Sequence, residues 1–193
     1  MKINVLYSPN HCTKIRSKNN IKFIVIHYTG MQSERACIKR LTSKNSKVST
    51  HYLINRKGIT TRIVDEKKTA WHAGKSKWKN LTDLNSQSIG IELVNKGHQF
   101  GYENFSKKQI TNLILLCKRL VKKYKIKKQN IVGHSDIAPL RKKDPGEKFP
   151  WILFAKKKIG YWHNGSRKNI NNQNLSKSVK RKFFFNNLYK IGY

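Results

Sequence analysis

A continuous apolar run near the start of the chain limits most strongly the folds open to this sequence. The run Phe23-Ile24-Val25-Ile26 contains no polar side chain, and such a segment is typical of a central strand buried on both faces. A second strand is predicted at Ser88–Val94, where Ile89, Ile91 and Leu93 fall on alternate positions. The chain has 193 residues, enough for one domain with a full core and short appendages.

Turn and capping residues predict the other elements. Val48–Asn55 has the pattern of a strand, and Lys57-Gly58 would turn it back into Ile59–Val64, which predicts a hairpin. A short strand is predicted at Ile3–Tyr7. N-cap residues and helical spacing predict three helices, at Ser33–Leu41, after a capping box formed by Ser106 and Gln109, and from Pro150 to near Gly160.

Basic residues dominate the composition. Lys and Arg number 42 against 9 Asp and Glu, which gives a formal net charge of +33. A positive charge of this size suggests that the protein could bind nucleic acid. The basic residues are spread along the whole chain, however, so we interpret them as solvated surface side chains and expect no specific nucleic acid partner. The positive field would still attract anionic ligands, carboxylates included.

The three cysteines, Cys12, Cys37 and Cys117, are an odd number without CxxC spacing. They argue against a disulfide framework and against a thiolate zinc site. Cys37 and Cys117 fall on the apolar faces of two predicted helices, so we expect both in the core.

The two ends of the chain differ from its middle. Residues 1–21 are polar and predict an N-terminal arm, and residues 165–193 form a basic tail that we expect to be helical or disordered. The first residues contain no apolar signal region, and no segment reaches membrane-spanning length. We therefore expect a cytoplasmic location, although a processed periplasmic chain would look the same.

The densest group of chemically active side chains lies in the stretch GHSDIAPLRKKDPG, from Gly133 to Gly146. His134 follows an apolar strand and can offer a neutral imidazole to a metal, and Asp144 sits in a turn that would fix its carboxylate. Lys142 lies between them. A cation beside metal ligands suggests that negative charge develops there during a reaction.

Two strand residues complete the candidate site. His27 ends the first predicted strand, where a lone histidine is more often a structural residue than a ligand. Glu92 lies within an otherwise apolar strand, where burial would raise its pKa into the range of a general base, unless it forms a structural salt bridge. The sequence pattern leaves both alternatives open. His51, on the predicted hairpin, is interpreted as structural.

Four motifs together, FIVIHYT, AWHAGKSKW, SIGIELVN and GHSDIAPLRKKDPG, resemble the zinc-dependent N-acetylmuramoyl-L-alanine amidases of the AmpD/AmiD-like type, which share their fold with the peptidoglycan recognition proteins. The resemblance covers about residues 22–162. It implies a single α/β (α+β) domain over residues 22–164, with a central mixed β-sheet flanked by helices.

The resemblance also implies a chemistry. One zinc ion per chain would be held by His27, His134 and Asp144, which leaves a tetrahedral position open for water. Glu92 would take a proton from this water, and Lys142 would stabilise the oxyanion. The bond cleaved would join N-acetylmuramic acid, ordinary or 1,6-anhydro, to L-alanine of a stem peptide, so the expected partners are muropeptides or anhydromuropeptides from cell-wall turnover or recycling.

Four further residues are predicted to contact substrate: Tyr28, Trp71, His72 and Asn85. Trp71 and His72 lie on a predicted loop, where they could form a platform for sugar or peptide or could plug one end of the sheet. Two other functions stay open beside hydrolysis. A recognition module would bind muropeptides without cleaving them, and a nucleic acid binder would lose affinity steeply with salt. The sequence does not predict an oligomeric state.

Overall fold

The computed structural model describes residues 2–162 and Ser178. Apart from Ser178, the basic tail predicted over residues 165–193 lies outside the described residues. Eight strands are described: β1 (Ile3–Val5), β2 (His11–Cys12), β3 (Phe23–Tyr28), β4 (Tyr52–Ile54), β5 (Thr60–Arg62), β6 (Thr69–Ala70), β7 (Ser88–Leu93) and β8 (Ile131–Gly133). Five α-helices accompany them: α1 (Glu34–Thr42), α2 (Leu84–Gln87), α3 (Lys107–Tyr124), α4 (His134–Ile137) and α5 (Trp151–Lys156).

Six strands form one mixed sheet in the order β1-β5-β4-β7-β3-β8. Strands β4, β7, β3 and β8 run parallel, β5 is antiparallel to β4, and β1 is parallel to β5. A separate two-stranded ribbon joins β2 to β6. The predicted mixed sheet with flanking helices is therefore confirmed.

Strand β3 lies between β7 and β8 and is covered on both faces. Ile24 and Ile26 pack into the main core with residues of α3, whereas Phe23 and Val25 pack on the opposite side against Ala73, Trp78 and Leu84. The uninterrupted apolar run is thus explained by burial on both faces.

Helix α3 covers the main core with one apolar face. Its N-cap Ser106 accepts a hydrogen bond from the backbone nitrogen of Gln109, as predicted. The second half of the predicted capping box is wrong, because the Gln109 side chain turns into the core instead. Its amide donates to the carbonyl oxygens of Ile54 and Val94 at 2.9 and 3.1 Å, which ties the helix to the ends of β4 and β7.

The smaller predicted elements form with shifted boundaries. Helix α1 is capped by Ser33, whose side chain accepts from the nitrogen of Ala36, and the hairpin forms between β4 and β5. Its first strand, Tyr52–Ile54, is shorter than predicted, and the side chains of Ser49, Thr50 and His51 bond to backbone groups of Trp71 and Gly90. Cys37 and Cys117 are buried free thiols, as expected. Among the described residues, no helix has the length and apolar character needed to cross a bilayer.

Candidate metal centre

The candidate site lies where β3 and β8 end at the same edge of the sheet. His27 is the fifth residue of β3, and His134 directly follows β8. These strands are parallel and register Ile26 against Gly133, so the two histidines arrive side by side although they are far apart in sequence. The nitrogen of Ser135 donates to the carbonyl oxygen of Asp144 at 2.8 Å, and this bond folds the loop that carries Asp144 back over the histidines.

Three donor atoms converge there. Nδ1 of His27 lies 2.9 Å from Nδ1 of His134 and 3.0 Å from Oδ2 of Asp144. Nδ1 of His134 lies 3.1 Å from the same Oδ2 atom. All three residues are buried, and they form a group able to hold a metal ion. Ligand atoms around a tetrahedral zinc ion lie about 3.3 Å from one another. The three sequence-predicted ligands therefore meet at a spacing close to that of a zinc site.

The second nitrogen of His134 supports the same interpretation. Nε2 lies 3.0 Å from the carbonyl oxygen of Ala73, and a carbonyl can only accept. Nε2 must therefore carry the proton, which leaves the Nδ1 lone pair directed at His27 and Asp144. A histidine that binds metal through one nitrogen commonly donates from the other in this way.

His27 has the electrostatics of a ligand as well. Burial, with a smaller contribution from neighbouring His134, lowers the pKa of His27 from 6.5 to about 4. Its imidazole is neutral at physiological pH, the state in which histidine coordinates metals.

Glu92 lies beside this group on β7. Its Oε2 atom is buried and has no hydrogen-bond partner among the described residues. Burial first, and then the charge of Asp144, raise the pKa of Glu92 from 4.5 to about 8, although Lys142 acts against both. No ion pair to Glu92 occurs within residues 2–162, which removes the salt-bridge alternative in favour of a carboxylate free to exchange a proton.

A cleft of about 660 Å³ opens beside this group. Glu92, His134 and Asp144 line it, as does Lys142. Three further cations line the cleft: Arg40, Arg141 and Lys143. The cleft thus combines the acids Glu92 and Asp144 with positive charge that would attract an anionic ligand.

Of the four residues predicted to contact substrate, the structure places three at the cleft and one behind it. Tyr28, Trp71 and His72 line the cleft, and the Tyr28 hydroxyl lies 2.8 Å from Nδ1 of His98. Asn85 does not border the cleft. Its Oδ1 instead accepts the backbone N–H groups of His72 and Ala73 at 3.0 and 2.7 Å, so it shapes the loop behind the site.

Some cleft residues had no signal in the sequence. His98 joins the wall through Tyr28, stacks on Tyr102 with ring centroids 4.4 Å apart, and contacts Glu147 at 3.0 Å. It lies in an irregular segment without period or motif. His51, interpreted as structural, is buried and accepts from the nitrogen of Gly90 at 3.0 Å, away from the metal ligands.

A family model described as N-acetylmuramoyl-L-alanine amidase matches residues 17–147, which include all three ligands of the candidate centre. The chain belongs to the N-acetylmuramoyl-L-alanine amidase family. Among curated members, AmiD of Escherichia coli K12 is 43% identical over 162 residues, which are 78% of this chain and 58% of AmiD. The 1,6-anhydro-N-acetylmuramyl-L-alanine amidase AmpD of Haemophilus influenzae is 43% identical over 54% of this chain and 55% of its own.

Solved amidase structures share the fold. E. coli AmiD, in complex with the substrate anhydro-N-acetylmuramic acid-L-Ala-D-gamma-Glu-L-Lys, superimposes with a TM-score of 0.77 at 35% identity over 94% of this chain and 74% of that one. AmpDH3 of Pseudomonas aeruginosa, in complex with anhydromuramic pentapeptide, superimposes with a TM-score of 0.82 at 31% identity. The match covers 96% of this chain and 79% of that one. The chain spans between half and three-fifths of the length of the curated amidases it matches.

Proposed function

We propose that this chain hydrolyses the amide bond between N-acetylmuramic acid and L-alanine of peptidoglycan stem peptides. The observation that carries the proposal is Glu92: a half-buried cleft residue whose buried Oε2 has no hydrogen-bond partner among the described residues, beside three converging metal-donor atoms. A binding module would have no need of a costly unpaired carboxylate at that place. Membership of the amidase family supports the same conclusion.

One zinc ion per chain is the cofactor that we propose. Two neutral imidazole nitrogens and one carboxylate oxygen would hold it, from His27, His134 and Asp144, and this donor set is typical of catalytic zinc. When bound, zinc supplies Lewis-acid chemistry that activates water and polarises a carbonyl group.

The residues around the cluster divide the remaining work. The Glu92 carboxylate accepts a proton from the attacking water and later delivers it to the departing amine of L-alanine. Lys142 borders the cleft and stabilises the negative charge that develops on the carbonyl oxygen of the substrate. The cationic side chains of Arg40, Arg141 and Lys143 favour a ligand that carries carboxylates.

Anhydromuropeptides are the first substrates to test. The AmiD and AmpDH3 structures that superimpose on this chain hold anhydromuramyl peptides. Ordinary muropeptides share the scissile bond, so the choice between the two depends on contacts to the sugar. The aromatic side chains of Tyr28 and Trp71 on the cleft wall suit a sugar or peptide face.

The test is release of free peptide, followed by mass spectrometry, from anhydromuropeptides, ordinary muropeptides and intact sacculi. We expect the zinc-loaded protein to cleave at least one of them and His134→Ala to cleave none. Binding without release would support a recognition module and would contradict the proposal. The cytoplasmic location remains a prediction, which fractionation of cells that express the chain would test.

A further inference from the structure

We infer that His72 is a positioning residue: with Ser88 it fixes the tautomer of His27 that leaves Nδ1 free to bind metal. The inference rests on the zinc site of the proposed function and goes beyond it, because it gives the loop that carries His72 a role other than substrate contact.

The hydrogen-bond chain is anchored at Ser88. Its hydroxyl has one proton, which it donates to the carbonyl oxygen of Leu84, an atom that can only accept. The same Oγ lies 3.1 Å from Nε2 of His72. Since the proton of Ser88 is already committed, Oγ must accept here and Nε2 of His72 must donate.

The proton on Nε2 of His72 also decides which ring donates in the hydrogen bond between His72 and His27. A neutral imidazole carries one proton, and no carboxylate is among the hydrogen-bond partners of the His72 ring in the described residues. Nδ1 of His72 is therefore a bare acceptor. It lies 3.0 Å from Nε2 of His27, so His27 donates, and its own Nδ1 turns a lone pair toward His134 and Asp144.

Packing holds the His72 ring in this orientation. A Cβ atom on Gly90 would lie 2.4 Å from Cγ of His72, so the ring occupies the space that a larger residue on β7 would need. The rings of His27 and His72 meet edge to face with centroids 5.1 Å apart, and His51 packs edge-on against His72 from another side at 5.6 Å. Rotation of the ring would break both of its hydrogen bonds.

The same loop serves the other histidine ligand. The carbonyl of Ala73 receives the proton of His134 Nε2 at 3.0 Å, and Asn85 fixes the backbone at His72 and Ala73. Both imidazole ligands thus take their outer hydrogen bond from neighbouring residues of one loop. Loss of such an outer partner typically weakens metal binding by about 10- to 100-fold.

The test compares zinc dissociation constants, measured by chelator competition, for the wild type, His72→Leu and His72→Asn. Leucine removes the acceptor while keeping an apolar bulk, and we expect affinity to fall by about 10- to 100-fold. Asparagine can present its amide oxygen where Nδ1 lay, so we expect it to recover most of this loss. Ser88→Ala, a smaller change, serves if His72→Leu does not fold, and should weaken zinc binding by about 10-fold.

A second readout separates positioning from general stability. Long-range ¹H–¹⁵N spectra of the zinc-loaded protein should show His72 as the Nε2–H tautomer, bonded through that proton. An Nδ1–H tautomer, or unchanged zinc affinity in both His72→Leu and Ser88→Ala, would overturn the inference while leaving the zinc site intact. A wild-type chain that binds no zinc would overturn the proposed function and this inference together.

Discussion

His27 and Glu92 are register partners on the adjacent parallel strands β3 and β7. Residues paired in this way point to the same face of the sheet, so a metal ligand and an unpaired carboxylate stand next to each other on one face of the sheet. The strand pairing therefore fixes the spatial relation between ligand and base independently of the loops above the sheet.

Replacement of Glu92 by Gln should sharply lower turnover and leave zinc binding in place. Gln keeps the shape of the side chain but cannot accept and return a proton, and the loss of a general base typically costs about 10²- to 10⁴-fold in rate. Peptide release should be measured together with bound zinc.

The matched control for this substitution is Glu103→Gln. Glu103 pairs with Arg56 at the surface, and it does not line the cleft, so its removal should leave turnover near the wild-type level. Equal activity of Glu92→Gln and the wild type would show that another group is the base.

The metal-free protein should lose stability as pH rises, because of Glu92. Burial raises the pKa of this carboxyl from 4.5 to about 8, so between these values the folded chain holds a proton that the unfolded chain has released. The contribution of Glu92 is therefore fully present below its unfolded pKa and is lost as pH climbs toward the folded value, at about 1 kcal/mol per pH unit. Urea unfolding between about pH 5 and about pH 8 should show a steeper decline for the wild type than for Glu92→Gln. Parallel curves would mean that Glu92 titrates normally.

Asp144→Asn should remove most of the stabilisation that zinc gives to the fold. The amide is close in shape to the carboxylate but lacks its charge, and a ligand that binds only the folded state stabilises it by RT ln(1 + [L]/Kd), about 2.7 kcal/mol at 100 times Kd. Thermal melts with and without zinc should therefore differ for the wild type and nearly coincide for the variant. A full zinc-dependent shift in Asp144→Asn would remove Asp144 from the ligand set.

Lys142→Met should lower kcat far more than it raises KM. If Lys142 meets negative charge that exists only in the transition state, its loss removes binding there and little from the bound substrate, by about 10²- to 10³-fold in kcat. Lys143→Met is the neighbouring control, because it removes an equal charge from the same cleft. Similar kcat values for the two variants would show that Lys142 contributes only to the positive electrostatic field of the cleft and does not stabilise the oxyanion.

The sheet and the ligands could be predicted because their signals are local. An apolar run without polar residues is stable as a strand when the sheet buries both of its faces. A glutamate inside an apolar strand must be paired or functional. Glu92, His134 and Asp144 each carry such a local signal, whereas His27 alone favours a structural role and is assigned as a ligand through the order of the four motifs. The capping box at Gln109 failed because the same side chain found two carbonyl groups at the ends of neighbouring strands, a tertiary contact that no local pattern encodes.

His72 shows where sequence reasoning stops. Its loop has no period, so platform and plug were equally open, and the structure places the ring on the cleft wall, packed beside His27. The neighbours that orient the His72 ring, Ser88 and Gly90, lie on β7. Their residue types give no sequence signal for this role. His98 was missed for the same reason, since only the folded chain brings it to Tyr28.

Gly90→Ala should destabilise the fold by displacing His72. The new Cβ would lie 2.4 Å from Cγ of the ring, and overpacking of this kind costs about 1 to 3 kcal/mol. Removal of the ring should relieve the clash, so in a double-mutant cycle the combination with His72→Ala should be less destabilised than the sum of the single variants, by more than about 0.5 kcal/mol. The cycle is measured by urea unfolding of the metal-free proteins, which separates packing from zinc affinity. Additive effects would mean that β7 shifts to accommodate the methyl group and that the ring does not depend on the space at Gly90.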